Sequence, residues 1–156
     1  MRVVWRICNA RFVDSALAGE GASRFPGRWN LRGTPIVYAS TTPSLAFLEL
    51  LVNVDRGNAP DQLALLQIHL PYAEKPLAQH ALPADWNALP APESTREFGS
   101  RWIVEKRALA IIVPSIVLPT TVDANVLINP AHPDARKIVI AQTLRFSPDP
   151  RTRDRH

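Results

Sequence analysis

Six short apolar runs, none longer than nine positions, constrain this 156-residue chain more than any other feature. They fall at Val3–Cys8, Pro35–Ser40, Gln62–Leu70, Leu109–Val113, Val126–Ile128 and Ile138–Phe146, and their β-branched and aromatic content marks them as strands. Alternation places Ile36, Tyr38 and Ser40 on one face of the second run, Val37 and Ala39 on the other. In the first run Arg6 shares a face with Val4 and Cys8, so its charge needs a partner or water.

Two helices interrupt these strands. Thr42 can cap the first and Pro43 suits its first position, where no N–H is needed, so the helix should run to about Asn53. Ser94 or Thr95 can cap the second, which should extend through Arg107 with Phe98, Trp102 and Glu105 at helical spacing. Asp14–Phe25 reads as a helical turn passing into a Gly-rich loop. Between Pro71 and Pro92 the prolines fix φ and remove donors, which predicts a loop with at most short helical turns. With no internal repeat and no second core, the chain is expected to form one α+β domain over residues 1–147. A basic tail, 148–156, should fray into solvent.

Composition excludes several classes. A hydrophobic content of 46% with 21% charged residues fits neither a disordered chain nor a disulfide scaffold. Cys8 stands alone, which rules out an internal disulfide and suits a reducing compartment. The N-terminus lacks the apolar core of a signal peptide and no run is long enough to span a bilayer, so a cytoplasmic protein without membrane contact is expected. The net charge of +4 owes +2 to the segment from Arg145 onward. The remainder is only mildly basic and has no Lys/Arg run interleaved with aromatics, so direct nucleic-acid binding is not expected.

Gly21–Asn30, Gly-Ala-Ser-Arg-Phe-Pro-Gly-Arg-Trp-Asn, can be neither a regular helix nor a strand. Arg24 and Arg28 supply forked donors suited to phosphate or carboxylate. In the competing structural reading, Phe25 and Trp29 fill the core and the arginines form surface pairs. Glu49 is the second anomaly, because every other residue from Leu45 to Val52 is apolar. Its helical neighbours include Leu45, Ala46 and Val52. The carboxylate must therefore be protonated, paired with a cation in a buried ion pair, or sited at a cleft wall.

Ser115 follows the strand ending at Val113 and can either line a site or cap a local turn. It lies outside any Gly-x-Ser-x-Gly elbow. Gly19 and Gly21 are followed by Arg24 where a dinucleotide fingerprint needs a small residue, and no phosphate-cradling Gly-Lys-Ser/Thr run exists. His69, His80, His132 and His156 lack ligand spacing, so no metal is assigned. His132 reads as part of a turn, and Cys8 as a buried thiol rather than a nucleophile.

Taken together, Gly19–Asn30, Val37-Tyr-Ala-Ser, the Ala46-x-x-Glu49 helix, Val113-Pro-Ser and Leu127-Ile-Asn-Pro-x-His-Pro-Asp resemble the RES-domain family, named for its arginine, glutamate and serine. The resemblance runs in order from about Arg6 to Phe146. It implies a fold similar to ADP-ribosyltransferases, with small mixed or antiparallel sheets and flanking helices. It also implies the toxin of a bacterial toxin–antitoxin module, held in a hetero-complex by an Xre-type antitoxin, through which any nucleic-acid contact would run.

NAD⁺ would then be a consumed substrate and not a cofactor, cleaved at the nicotinamide–ribose bond by hydrolysis or phosphorolysis with growth arrest by depletion. Mono-ADP-ribosylation of a cellular protein is the alternative, and a non-catalytic anion- or partner-binding module the second. By motif position Glu49, Arg28 and Tyr38 would be catalytic, and Arg6, Arg28, Tyr38 and Ser115 would contact NAD⁺. Two positions depart from the family pattern: Ile7 follows Arg6 where some members have an aromatic, and Pro26 stands where glycine is common.

Overall fold

The computed structural model describes residues 1–54, 60–120 and 122–152. All six apolar runs become strands: β1 (Arg2–Asn9), β2 (Val37–Ser40), β3 (Leu63–Leu70), β4 (Ala110–Val113), β5 (Asn125–Ile128) and β6 (Val139–Phe146). They join in one sheet of order β4-β5-β2-β1-β3-β6, with all neighbours antiparallel. The fold is thus α+β, and the small sheets merge into one. The merger is narrow. β1 pairs with β3 along its whole length but meets β2 in register only at Trp5–Ser40, so two three-stranded halves are joined at a single pair.

Strand alternation gives the sheet two different faces. Val4, Val37, Leu66, Ile112, Val126 and Ile128 bury one, against Ala10 of a 3₁₀ segment at Ala10–Ser15 and Ala16, which caps its end. The other carries Trp29, Ile36, Trp86, Trp102, Ile111 and Leu127, with Tyr38 and Phe98 against them. The parity of the Pro35–Ser40 run accordingly separates Ile36 and Tyr38 from Val37 and Ala39.

Among the described residues three α-helices complete the frame: α1 (Glu20–Arg24), α2 (Pro43–Asn53) and α3 (Glu93–Glu105). The Thr42 side chain caps α2 by accepting from the Leu45 N–H at 3.3 Å, and Pro43 opens it. At α3 the capping expectation fails. The cap position is Pro92, which has no side-chain acceptor; Ser94 and Thr95 fall inside the helix, where their hydroxyls donate to Asp85 and to the Pro92 carbonyl. The helix stops at Glu105 because Lys106 turns left-handed, at φ 51°.

The proline-rich connection holds a short 3₁₀ turn at Gln79–Ala81 and hydrogen-bonded turns over 83–88, yet it does more than connect. Its Leu77 N–H bonds the Ile112 carbonyl at the outer edge of β4, while Leu82 and Trp86 enter the core. In the tail, Arg151 pairs with Asp149 beside a 3₁₀ turn at Pro150–Thr152, and residues 153–156 lie outside the described residues. His132 does serve its turn, its Nδ1 accepting from the Asp134 N–H.

Candidate functional site

Glu49 is fixed from two directions. It projects from α2, where Leu45 and Ala46 are buried but Glu49 itself is only half-buried. Its Oε1 accepts from the Ser115 hydroxyl at 2.7 Å and from Asn125 Nδ2 at 2.6 Å. Asn125 is held in turn by the Ser40 hydroxyl, which donates to its Oδ1 at 3.1 Å. Among the described residues Oε2 has no hydrogen-bond partner and Glu49 belongs to no ion pair. The buried Glu–Arg pair is therefore not found, and one carboxylate oxygen remains open to a ligand.

Ser115 combines its two sequence readings. Its oxygen accepts from the Val117 and Leu118 N–H groups, each at 3.1 Å, while its proton goes to Glu49. One donor and two lone pairs are all a hydroxyl has, and all are used. Ser115 is fully buried, so in this arrangement it orients the carboxylate.

Contrary to its sequence reading, the Gly21–Asn30 segment is not all loop: Gly21–Arg24 lie in α1, and only the part from Phe25 onward is irregular. It is organised around Asn30, which sequence reading did not single out. This fully buried side chain accepts from the Gly27 N–H at 2.9 Å and the Tyr38 hydroxyl at 2.7 Å, and its Nδ2 donates to the Ala22, Leu31 and Thr34 carbonyls. Tyr38 in turn accepts from the Trp29 N–H at 3.0 Å. Burial pushes its phenol well above the ordinary tyrosine value, against opposing pulls from the Trp29 N–H, Arg96 and Arg28. Gly27 is required at this point: a Cβ there would stand 2.7 Å from the Tyr38 hydroxyl oxygen.

The two aromatics of the loop part company. Trp29 is buried in the core and Phe25 is 80% exposed, so the core-filling reading holds for one ring only. The arginines divide similarly. Arg24 is exposed, whereas Arg28 is half-buried and its Nη1 donates to the Trp86 carbonyl at 2.9 Å and the Ala88 carbonyl at 2.8 Å. Burial lowers the Arg28 pKa, with the Glu49 charge raising it and the Arg96 charge lowering it further. Arg28 and Tyr38 thus both feel the charge of Arg96, and Arg28 feels that of Glu49.

Arg6 stands apart. It lies on the sheet face of Val4 and Cys8, and its Nη1 donates to the Tyr38 carbonyl at 2.7 Å, on the β2 edge that β1 leaves unpaired. Burial lowers its pKa, with a smaller opposing effect from Cys8, whose own thiol is pushed up by burial. Arg6 thus ties the halves of the sheet together beneath Tyr38, and the structure does not bring its charge beside Glu49.

Sequence reading missed Asn30, Asn125 and Arg96. The first two sit directly beside recognised positions, after Trp29 and before Val126, and a short amide at a loop or strand end is an available signal. Arg96 gives no such signal within a polar helix. Among the described residues no cluster of His, Cys, Asp and Glu could hold a metal, and no helix is long and apolar enough to cross a membrane.

Residues 3–149 match the RES domain, and the chain belongs to the RES-domain family. It is 39% identical over 153 residues to the Prs ADP-ribosylating toxin of Sphingobium sp. (strain YBL2), covering 94% of both chains. It is 40% identical over 151 residues to Toxin Res of Pseudomonas putida (strain KT2440), covering 96% of this chain and 98% of that one. Toxin Res of Yersinia enterocolitica is 33% identical, with the same coverage.

Proposed function

We propose that this chain is a toxin that cleaves the nicotinamide–ribose bond of NAD⁺, arresting growth by depleting it. The observation that carries this reading is Glu49, a carboxylate with Oε1 anchored by Ser115 and Asn125 and Oε2 unbonded, beside an Arg28 that belongs to no ion pair among the described residues. In the reaction, the bond between ribose C1″ and the pyridinium nitrogen breaks and its electron pair neutralises the leaving nicotinamide. Positive charge builds on the ribose as in glycoside hydrolysis. The Glu49 carboxylate stabilises that charge and accepts from a ribose hydroxyl through Oε2, and fixed electrostatics of this kind is usually the largest catalytic contribution. Arg28 holds the diphosphate, Tyr38 maintains the loop that carries Arg28, and Arg6 steadies the Tyr38 backbone. Water or phosphate then bonds C1″ and loses a proton.

A second reading, favoured by the name of the Sphingobium relative, sends the same ribosyl cation to a nucleophile on a protein. An Xre-type antitoxin bound in a hetero-complex would restrain either activity. Incubation of the purified chain with labelled NAD⁺ separates the readings: free ADP-ribose marks hydrolysis, ADP-ribose-1″-phosphate marks phosphorolysis, and label on protein marks transfer. Glu49→Gln should lower turnover by about 10²- to 10³-fold, the scale of losing one preorganised electrostatic contact. Wild-type turnover in that variant, or no NAD⁺ loss with the native chain, would remove the proposal.

A further inference from the structure

Among the described residues Arg96 is a charged side chain with no counter-charge paired to it. It sits one turn before Gly99 and Ser100 on α3, on the face that touches the Arg28 loop. That approach is close: a Cβ on Gly99 would collide with the Trp29 carbonyl oxygen, and the Leu31 N–H donates to the Ser100 hydroxyl at 2.9 Å. Arg96 is half-buried, its Nε is buried without a partner, and among the described residues its side chain makes no hydrogen bond or ion pair.

Among the described residues Arg28 bonds only to neutral carbonyls; it feels the Glu49 charge and, opposing it, the Arg96 charge, which Tyr38 feels too. The contacts of Gly99 with Trp29 and of Ser100 with Leu31 thus seat the helix of Arg96 directly on the loop of Arg28, in a partly desolvated place where, among the described residues, neither arginine forms an ion pair. Such an arrangement opposes folding unless an anion occupies it, because like charges repel and burial removes water from both. Glu49 offsets the Arg28 charge only from a distance: it forms no ion pair with either arginine among the described residues, and its Oε1 is engaged by Ser115 and Asn125.

We propose that Arg96 and Arg28 form a two-guanidinium clamp for a diphosphate group, with Arg96 on the rigid helix and Arg28 on the loop packed against it. The inference rests on the dinucleotide reading above for the identity of the whole ligand, but the anion site stands on its own. Planar guanidinium forks match phosphate oxygens bidentately, and a second fork fixes the orientation that one leaves free. In NAD⁺ the diphosphate is remote from the bond that breaks. Arg96 accordingly contributes binding that is the same in the ground state and the transition state.

The test pairs pyrophosphate binding by calorimetry with NAD⁺ kinetics and melting curves, on the native chain and on Arg96→Ala, Arg96→Gln and Arg96→Lys. Loss of a charged hydrogen bond should weaken pyrophosphate binding and raise KM for NAD⁺ by about tenfold or more, with kcat within about threefold. The lysine variant should recover part of the loss. The melting temperature of the alanine and glutamine variants should hold or rise, because no partner is orphaned and repulsion is relieved. Pyrophosphate binding unchanged in Arg96→Ala, or absent in the native chain, overturns the clamp, as does a lowered melting temperature with native affinity. Arg96-dependent pyrophosphate binding without any NAD⁺ turnover keeps the clamp and removes the dinucleotide reading.

Discussion

The two faces of the sheet are made of different materials. One is closed by aliphatic side chains and alanines, among them Val4, Val37, Leu66 and Ile68. Around the other stand three tryptophans, with buried Asn30, Ser40, Ser100 and Ser115 hydrogen-bonded near them. Aliphatic burial needs only volume and shape, whereas each buried polar group needs a partner at a set distance and angle. The first face can thus supply cohesion without specifying any chemistry. The second spends cohesion on orientation, and Glu49, Arg28 and Arg96 all belong to its side.

The largest effect that tests this division should come from the aliphatic face. Leu66→Ala, at a fully buried position, should destabilise by about 2–5 kcal/mol, through lost transfer energy and a residual cavity. Denaturant titration reads the loss, and turnover per folded molecule should stay native; a change in that turnover would break the separation of roles. Ser115→Ala should be smaller in stability but felt in both readouts, at about 1–3 kcal/mol for leaving buried N–H groups without their acceptor. It should also release Glu49 Oε1 and lower kcat; native kcat would show that the serine does not orient the carboxylate.

The smallest effect concerns pH. Since burial raises the Tyr38 pKa, the folded phenol keeps its proton in the range where the unfolded chain's tyrosine, near ~10, loses it. The unfolded state then binds fewer protons, so stability is intact below that pH and declines as pH rises above it. Tyr38→Phe should weaken the fold at neutral pH by about 0.5–1.5 kcal/mol, the net worth of a hydrogen bond, and flatten the alkaline decline. An equally steep decline in the variant would assign it to another group.

Much of the frame was legible because it depends on local patterning. Period-two alternation marked the strands and, in Pro35–Ser40, divided the residues between the faces; Thr42 and Pro43 located the start of α2 through cap chemistry that needs no distant partner. Glu49 was conspicuous because a lone carboxylate in an apolar helix has no cheap local solution. Less legible was α3, where Ser94 and Thr95 are both plausible caps but fall inside the helix, their hydroxyls donating to Asp85 and the Pro92 carbonyl. The proline-rich connection hid most, because fixed φ angles describe a loop but not what the loop packs on.

By itself, then, the sequence determined an α+β domain of the RES family, its strand faces, and the prominence of Arg28 and Glu49. Only the tertiary structure decided what those groups meet: Glu49 joins Ser115 and Asn125 from 66 and 76 residues away, and Arg28 rests on carbonyls 58 and 60 residues downstream. It also separated Arg6 from that group and brought the charge of Arg96 to bear on Arg28 and Tyr38. The physical reason is that side-chain periodicity and capping act within a few residues. Partners for a buried charge or amide are chosen by whichever distant backbone the packed sheet brings within hydrogen-bond reach.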